Sequence, residues 1–328
     1  MGVDLNKVYP GHCLDVLKTF PDNFVNTVVT SPPYWGLRDY GVDGQIGLEE
    51  TVEEYVSNLV SVFREVKRVL RDDGTLWLNL GDAYAGSGRG RNADGKGNPG
   101  NNHFQSVGQV TGIVSIAKSV DGLKPKDLIG LAWRVAFALQ QDGWYLRQDI
   151  VWNKPNAMPE SVRDRPTKSH EYIFLLSKSP KYYYDHESIK EPAVYGQQDV
   201  RGSEGAFGPP QRAKRANKEK GSFNGKYGHE AFRAIRDKRN KRSVWTVSTK
   251  PLKEAHFATF PEALIEPCIL AGAPAEGIVM DPFFGSGTVG RVAAKHNRNF
   301  IGIELNPGYI EISDRLLSNV QLELINHF

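Results

Sequence analysis

The sequence predicts an α/β protein with a single Rossmann-like, doubly wound and mostly parallel sheet. Two observations carry this prediction. An apolar run at 25–30, an amphipathic stretch at 50–70 and a second apolar run at 75–80 indicate a strand, a helix and a parallel strand. Between 277 and 304 the order is strand, glycine-bearing turn, helix and strand. Repeated units of this kind bury a sheet between two layers of helices.

The remaining elements follow from the spacing of apolar residues and from the positions of glycine and proline. In the first part of the chain we expect strand 8–9, helix 15–20, strand 25–30, helix 50–70, strand 75–80, helix 126–141, strand 145–152, strand 171–177 and a sheet edge continued by 182–184. In the last part we expect ordered structure to restart at 243–247, followed by helix 261–270, strand 277–281, helix 289–296, strand 299–304 and helix 309–317.

The chain is long enough for one large domain with an insertion. Residues 1–194 would form the first half of that domain and contain a flexible loop at 86–112, rich in Gly, Asn and Ser. Apolar periodicity stops at 195–242, which we predict to be a separate insertion with a short helix at 230–238. Residues 243–328 would form the second half. Because little chain follows the last predicted strand, its neighbours must come from the N-terminal half, so the order is circularly permuted.

Charge is concentrated in the predicted insertion. Between residues 211 and 242 there are twelve Lys or Arg against three Asp or Glu, a net charge of +9, whereas the whole chain carries +3. The rest of the chain therefore carries −6. Such a basic segment indicates a polyanionic partner, although a solvated surface loop without a partner has the same composition.

Cellular location follows from what the sequence lacks. The two cysteines are far apart, which favours a reducing compartment without a disulfide framework. No apolar run approaches the ~20 residues of a membrane span, and the first six residues have no signal-peptide layout. We predict a cytoplasmic protein with no membrane partner.

The turn Thr30–Trp35 (Thr-Ser-Pro-Pro-Tyr-Trp) is the first candidate site. Two prolines stop the strand that precedes them, so the turn lies at the strand's carboxyl end, where open α/β sheets bind ligands. It offers a hydroxyl and carbonyls that can accept hydrogen bonds from an amine, and aromatic faces that can stack on a flat ring. A strand exit with core aromatics is the simpler interpretation.

The second candidate site follows the predicted strand 277–281. Asp281 ends that strand, Gly285 and Gly287 lie in the turn, and Glu304 ends the next strand. Glycines let a ligand approach the backbone, and an acid at this position can hold the hydroxyls of a ribose. The spacing differs from G-x-G-x-x-G and suits a nucleoside without a pyrophosphate. An ordinary β–α–β crossover is the alternative.

Together these segments resemble the β-class S-adenosylmethionine-dependent DNA amino-methyltransferases. Ser31–Tyr34 (Ser-Pro-Pro-Tyr) resembles their motif IV, Asp281–Thr288 their motif I, Glu304 their motif II acid and His256–Pro261 their motif X. The order of the motifs covers nearly the whole chain outside the two insertions. One departure is Gly11-His12-Cys13-Leu14, where family members often have Gly-Asp-Cys-Leu, so the residue that contacts the adenine is left unassigned.

The resemblance implies S-adenosyl-L-methionine as cofactor, double-stranded DNA as partner and no metal. Its implied catalytic residues are Ser31, Pro32, Pro33 and Tyr34. The implied cofactor-binding residues are Asp281, Phe283, Gly285, Ser286, Gly287, Thr288, Glu304, His256, Thr259 and Phe260. Candidates for the base pocket or for DNA contacts are Trp35, Trp152, Lys154, Arg212, Lys214, Arg215, Arg239 and Arg242. A homodimer and a restriction endonuclease partner are further expectations.

The chemistry fits these residues. An exocyclic amine is a poor nucleophile because its lone pair is conjugated into the ring. Acceptors at the Ser31 hydroxyl and the Pro32 carbonyl could hold its two N–H bonds, and Tyr34 could stack on a base flipped out of the duplex. Transfer would then be direct. Cys268 follows a proline, as the nucleophile of carbon-5 methylation does, but it lies inside a predicted helix and is assigned to the core.

Ser31 at the head of motif IV favours cytosine N4 over adenine N6 as the target. Two other classes stay open at this point. A nicotinamide-dependent oxidoreductase would explain residues 281–304 but neither the Ser31 turn nor the basic insertion. A non-catalytic nucleic-acid-binding protein would explain only the insertion. A methyltransferase acting on RNA or protein is a lesser variant, because a basic segment does not distinguish DNA from RNA.

Overall fold

The computed structural model of the chain describes residues 2–85, 122–193, 238–249 and 260–326. The chain divides into two compact units, residues 1–185 with 242–328, and residues 186–241. The predicted loop at 86–112 and most of the basic insertion lie outside the described residues.

The first unit contains an eight-stranded sheet. Its strands are β1 (Lys7–Pro10), β2 (Val25–Thr30), β3 (Leu70–Leu80), β4 (Tyr145–Asn153), β5 (His170–Ser177), β8 (Val244–Thr246), β9 (Ile278–Asp281) and β10 (Asn299–Glu304). The order across the sheet is β1-β10-β9-β2-β3-β5-β4-β8. All neighbours are parallel except β5, which runs antiparallel to both β3 and β4. The predicted mostly parallel sheet is confirmed.

Six described helices accompany this sheet. They are α1 (Cys13–Lys18), α2 (Val52–Val69), α3 (Leu131–Gln141), α4 (Glu262–Gly272), α5 (Thr288–Lys295) and α6 (Pro307–Asn326). Successive side chains of a strand point to opposite faces. In β3, Leu76 and Leu78 join the core formed with α1, α2 and α3, whereas Trp77 on the other face lies beside Gly272 at the end of α4. The sheet is therefore covered on both sides.

The strand order explains the permuted sequence. The C-terminal strands β9 and β10 lie between β1 and β2, so both ends of the chain build one sheet. From the β9–β2 pair the chain winds in two directions, through β3 on one side and through β10 and β1 on the other. This pair is the topological switch point, where open α/β sheets form a ligand crevice.

Helix α2 shows why this part of the first unit folds as the sequence predicts. Thr51 accepts a hydrogen bond from the Glu54 backbone, and the Glu54 side chain accepts one from the Thr51 backbone, which completes a capping box. The apolar residues recur every three or four positions and are buried, among them Tyr55, Leu59 and Phe63. The helix ends at Val69 and β3 starts at Leu70, earlier than the strand predicted from residue 75.

Helix α3 is shorter than predicted. The sequence predicts a helix from Lys126, but the helix starts at Leu131 because Lys126 and Gly130 both adopt left-handed backbone angles, with φ of 76° and 72°. Leu128 pairs with Tyr84 in an isolated bridge and its side chain is 49% exposed. It therefore does not lie on the buried face of the helix.

The prediction that Tyr182–Tyr184 continues the sheet edge is wrong. Strand β5 already has β3 on one side and β4 on the other, so no edge is free for the segment that follows it. The segment instead crosses a face of the sheet. There the Tyr184 ring stacks on Trp77 with 6.3 Å between the ring centroids.

The second unit has little described structure. Strands β6 (Glu191–Pro192) and β7 (Lys238–Arg239) pair antiparallel, and Arg239 forms an ion pair with Glu191 at 2.8 Å. The helix predicted at 230–238 falls outside the described residues except for Lys238, which belongs to β7.

Among the described helices, none combines the length and the apolar character that crossing a membrane requires.

Gly302 in the middle of β10 provides a test of the packing beneath the glycine-bearing turn. A methyl group at Gly302 would lie 2.6 Å from Cδ1 of Phe284 and closer still to two other ring atoms. Because Phe284 is buried and stacks on Phe300, G302A should lower the free energy of unfolding by about 2 kcal/mol or more. Chemical denaturation measures this loss. G2A is the matched control, since nothing lies within 4 Å of its added methyl, and equal stability of both variants would contradict the prediction.

Candidate active site

The two candidate sites meet at the switch point of the sheet. Thr30, the last residue of β2, donates a hydrogen bond of 2.6 Å to Oδ1 of Asp281, the last residue of β9. The same oxygen accepts the backbone N–H of Phe283 at 3.0 Å. Ser31 follows Thr30 directly, so the Ser-Pro-Pro-Tyr turn and the glycine-bearing turn start from hydrogen-bonded neighbours.

The proline turn after β2 is anchored from helix α2. The buried Tyr55 hydroxyl donates a hydrogen bond of 2.8 Å to the Pro33 carbonyl oxygen. No donor in the described ranges contacts the Pro32 carbonyl oxygen. Of the two proline carbonyls, that of Pro32 therefore keeps both of its lone pairs for a ligand. Ser31 and Tyr34 are both partly buried.

The Tyr34 hydroxyl lies at the centre of a polar cluster. It donates to Oε2 of Glu171 at 3.0 Å and also lies 3.4 Å from Oδ1 of Asn79. Ser31 Oγ is 3.5 Å from the same hydroxyl, at the outer limit of a hydrogen bond. Burial, and then the charge of Glu171, raise the pKa of Tyr34 well above its ordinary value, so this hydroxyl keeps its proton.

Sheet topology explains how Glu171 reaches this cluster. Strand β5 is antiparallel to β3, so its first residues lie at the carboxyl end of β3, where Asn79 is found. Strand β4 ends at the same edge, and Lys154 directly after it forms an ion pair with Glu171. The Lys154 ammonium also lies 4.1 Å from the centroid of the Trp152 ring.

The glycine-bearing turn after β9 is held by Glu304, the last residue of β10. Its two carboxylate oxygens accept the backbone N–H groups of Gly285 at 2.7 Å and Asn306 at 2.8 Å. These two bonds orient the carboxylate at the edge of the sheet. Burial raises the pKa of Glu304 above its ordinary value.

The two glycines of this turn differ in what surrounds them. Gly285 has a φ of 54° and its nearest neighbour to an added methyl group is 4.0 Å away, so a ligand can approach its backbone. Gly287 has a φ of 78°, and an added methyl would lie 3.1 Å from both Phe284 and Ser313. Only Gly285 therefore matches the expectation that glycine gives a ligand access to the backbone.

A buried arginine supports the same turn. Arg291 of α5 donates to the Ser286 carbonyl oxygen at 2.7 Å and to Thr288 Oγ1 at 3.2 Å. Its guanidinium also pairs with Glu262 of α4 at 3.3 Å. The Ser286 hydroxyl is buried and has no partner among the described residues. The turn thus has one unsatisfied polar atom.

The remaining predicted residues fall into three groups. Trp35 and Trp152 are buried, and their indole N–H groups donate to the carbonyl oxygens of Glu49 and Val247, respectively. Phe283 and Phe260 are partly buried, and Arg242 is exposed. Five residues lie outside the described part of the chain, namely His256, Thr259, Arg212, Lys214 and Arg215. Cys268 is fully buried in α4, as predicted.

Comparison with known proteins identifies the family. The model of a family described as DNA methylase, N6_N4_Mtase, matches residues 25–315. The chain belongs to this family. It is also 48% identical over 318 residues to the Type II methyltransferase M.Cfr9I of Citrobacter freundii, an alignment that covers 97% of this chain and 89% of that protein. The chain is thus a DNA methyltransferase of the N4-cytosine and N6-adenine type.

Solved structures share the fold. The PvuII DNA methyltransferase (cytosine-N4-specific) has a TM-score of 0.60 at 18% identity, with 99% of this chain and 94% of that chain covered. The protein TTHA0409 of Thermus thermophilus, complexed with S-adenosyl-L-methionine, has a TM-score of 0.56 at 23% identity, with 96% of this chain and 93% of that chain covered. At these identities the likeness concerns the fold.

Membership in the DNA methylase family implies S-adenosylmethionine as the methyl donor. The residues at the switch point fit this group. Gly285 leaves open space beside its backbone, the Glu304 carboxylate retains acceptor capacity for ribose hydroxyls, and the Ser286 hydroxyl is an unpaired polar atom in the same turn.

Three residues of this site were missed by the sequence reasoning, namely Asn79, Glu171 and Arg291, and the contact of Thr30 with Asp281 was not expected. Asn79 interrupts the apolar run 76–80 of β3, and Glu171 precedes the apolar run 172–176 of β5. A polar residue at the end of a buried run is the signal that could have indicated them. Arg291 stands in a helix where a charged residue is ordinarily solvated.

Asp281 should give the protein a characteristic dependence of stability on pH. Burial raises the pKa of Asp281 to about 7, against an ordinary value near 3.8. Between these values the folded chain binds a proton that the unfolded chain does not. The contribution of Asp281 to the free energy of unfolding is therefore full below about pH 4 and is lost as the pH rises to about 7.

The variant D281N lacks this titration. We expect the stability of the wild type relative to D281N to fall by about 2–3 kcal/mol between pH 5 and pH 8. Urea unfolding at the two pH values measures the difference, and titrations that the two proteins share cancel in the comparison. A difference that stays constant or rises with pH would contradict the buried, protonated state of Asp281.

Proposed function

We propose that this protein transfers a methyl group from S-adenosylmethionine to the N4 amine of a cytosine that is flipped out of double-stranded DNA. The observation that supports this most directly is the pair of acceptors beside the switch point. The Pro32 carbonyl oxygen has no described donor, and the Ser31 hydroxyl lies one residue earlier in the same turn. An aromatic amine needs acceptors for its N–H bonds before its lone pair can attack a methyl group.

Cytosine is favoured over adenine by two arguments. Ser rather than Asp heads the turn, and the PvuII enzyme, whose name states that it is cytosine-N4-specific, shares the fold across nearly the whole chain. Within this proposal Ser31 and Pro32 accept from the amine, and Tyr34 contacts the base. Glu304, Gly285 and the neighbouring turn hold the cofactor. Positioning is then the main source of rate enhancement.

Methyl transfer itself supplies the clearest test. DNA treated with the protein and digested to nucleosides should contain N4-methylcytosine by mass spectrometry. Finding only N6-methyladenine would contradict cytosine as the target base.

The variant S31A removes one acceptor and should lower the single-turnover rate about 10²-fold, because a preorganised hydrogen-bonding group is lost from the transition state.

The control for S31A is S61A, whose hydroxyl donates only to the Ser57 carbonyl oxygen within helix α2. Binding of S-adenosylmethionine, measured by calorimetry, should be unchanged in both variants. A rate within twofold of the wild type for S31A would contradict the role of this hydroxyl.

We further propose that the basic segment 211–242 binds the DNA backbone and includes residues that recognise the target sequence. Its net charge of +9 supports this, and cytosine-containing duplex DNA is the polyanion that the reaction requires. Within the described part of this segment, Arg239 already pairs with Glu191, which leaves it less available to a phosphate.

A homodimer, a restriction endonuclease partner and a cytoplasmic location remain predictions.

Arg212, Lys214 and Arg215 form the first basic cluster of the segment and provide its test. Replacing all three by Gln should weaken DNA binding and reduce the slope of log affinity against log salt by about 2–3. Fluorescence anisotropy with a labelled duplex over a salt series measures both quantities. The control is K7Q/K18Q, which removes two exposed lysines at the other end of the sequence. Equal slopes for all three proteins would contradict a role in phosphate binding.

A further inference from the structure

Four side chains from three segments of the chain lie in a line that starts at the proline turn. Ser31 Oγ lies 3.5 Å from the Tyr34 hydroxyl oxygen, which lies 3.0 Å from Oε2 of Glu171. The line continues through Oε1 of Glu171 to the ammonium of Lys154. A hydroxyl can donate or accept, so the direction of the hydrogen bonds along this line depends on the groups at its end.

Glu171, the neighbour of Tyr34 along this line, can only accept. Glu171 lies beside the Lys154 ammonium, both side chains are 18% exposed, and the Asn79 amide N–H donates to Oε2 at 3.3 Å. An ionised carboxylate has no proton to give. The Tyr34 proton therefore points to Glu171, the nearer of its two acceptors at 3.0 Å against 3.4 Å for Oδ1 of Asn79. Burial and the neighbouring charge raise the pKa of Tyr34 and keep this hydroxyl protonated.

The orientation of the Tyr34 hydroxyl also determines the direction of the Ser31–Tyr34 hydrogen bond. The Tyr34 oxygen has given its own proton to Glu171 and offers lone pairs on its other side, so it can accept the Ser31 proton. That proton then points away from the substrate, and both lone pairs of Ser31 Oγ can accept a hydrogen bond from a group in the pocket. We propose that Glu171 is a positioning residue that acts through Tyr34 to make the Ser31 hydroxyl an obligate acceptor for the amine of the target base.

The surroundings of Tyr34 are shaped for this contact. Gly81, directly after β3, faces the tyrosine, and an added methyl group there would lie 2.7 Å from Cε2 of Tyr34 and 3.4 Å from Oε1 of Glu171. The absence of a side chain at Gly81 lets the ring and the carboxylate approach each other. Burying the Lys154–Glu171 pair offers little stability, since desolvation offsets the attraction, so a role in the site accounts better for its position.

This inference rests on the proposed role of Ser31 in amine methylation, and its test is a double-mutant cycle. E171Q keeps the shape of the side chain but can donate as well as accept, so the direction is no longer imposed. We expect E171Q to lower the single-turnover rate at least tenfold, with affinities for S-adenosylmethionine and DNA within twofold of the wild type.

Because Glu171 acts through Tyr34, E171Q should change the rate less than twofold in the Y34F background, and likewise in the S31A background. Rate losses that multiply independently would overturn the proposal, as would an E171Q rate equal to that of the wild type. A loss of affinity or thermal stability that accounts for the whole rate loss would also overturn it. If E171Q alone folds poorly, K154M/E171Q leaves no unpaired buried ammonium and takes its place in the cycle.

The matched control is D142N. Asp142 is an acid of similar exposure, 14%, that pairs with Arg64 at 2.6 Å near the start of β4, the end opposite to Lys154. D142N should keep the wild-type rate. The nucleoside product is identified in every reaction. A methylated adenine would show that the proposed target base is wrong. The coupling between Glu171 and Tyr34 is judged separately, from the rates alone.

Discussion

The hydrogen bond from Thr30 to Asp281 joins residues 251 positions apart at the point where the site forms. Each residue ends a strand, and the two strands are neighbours in the sheet. Ser31 follows the first and the glycine-bearing turn follows the second, so in the proposed reaction the distance between the amine and the cofactor depends on this one pairing. A methyl transfer requires reacting atoms ~3–3.5 Å apart in line, which makes the register of this pair more consequential than the strength of any single contact.

The permuted chain order makes that pairing a contact between the two ends of the chain. Strands β9 and β10 come from the last sixth of the sequence and insert between β1 and β2. Closing so long a loop costs conformational entropy that local contacts cannot offset. The buried face of β9 and the packing of Phe284 against Gly302 supply compensating apolar burial directly beside the cofactor turn. Stability and function are therefore concentrated in the same strands.

Features marked by local chemistry could be predicted from the sequence. Strands β2 and β10 begin and end as expected, because prolines or acids mark the ends of their apolar runs. The failures have non-local causes. Left-handed residues at Lys126 and Gly130 delay helix α3, and the antiparallel insertion of β5 leaves no edge for the tyrosines after it. Glu171 lies at the start of β5, and its partner Tyr34 is 137 positions away, so only the sheet register brings them together.

The same dependence on register explains why Ser31 alone cannot determine its chemistry. Its neighbours in sequence are prolines and a threonine, none of which decides whether the hydroxyl donates or accepts. A carboxylate next to the substrate would impose acceptance directly, but it would also place a full negative charge beside the amine. With Tyr34 interposed, Glu171 imposes the same direction from a greater distance, and Lys154 balances its charge. The neutral hydroxyl then faces the base, while the charge that orients it remains in the neighbouring strands.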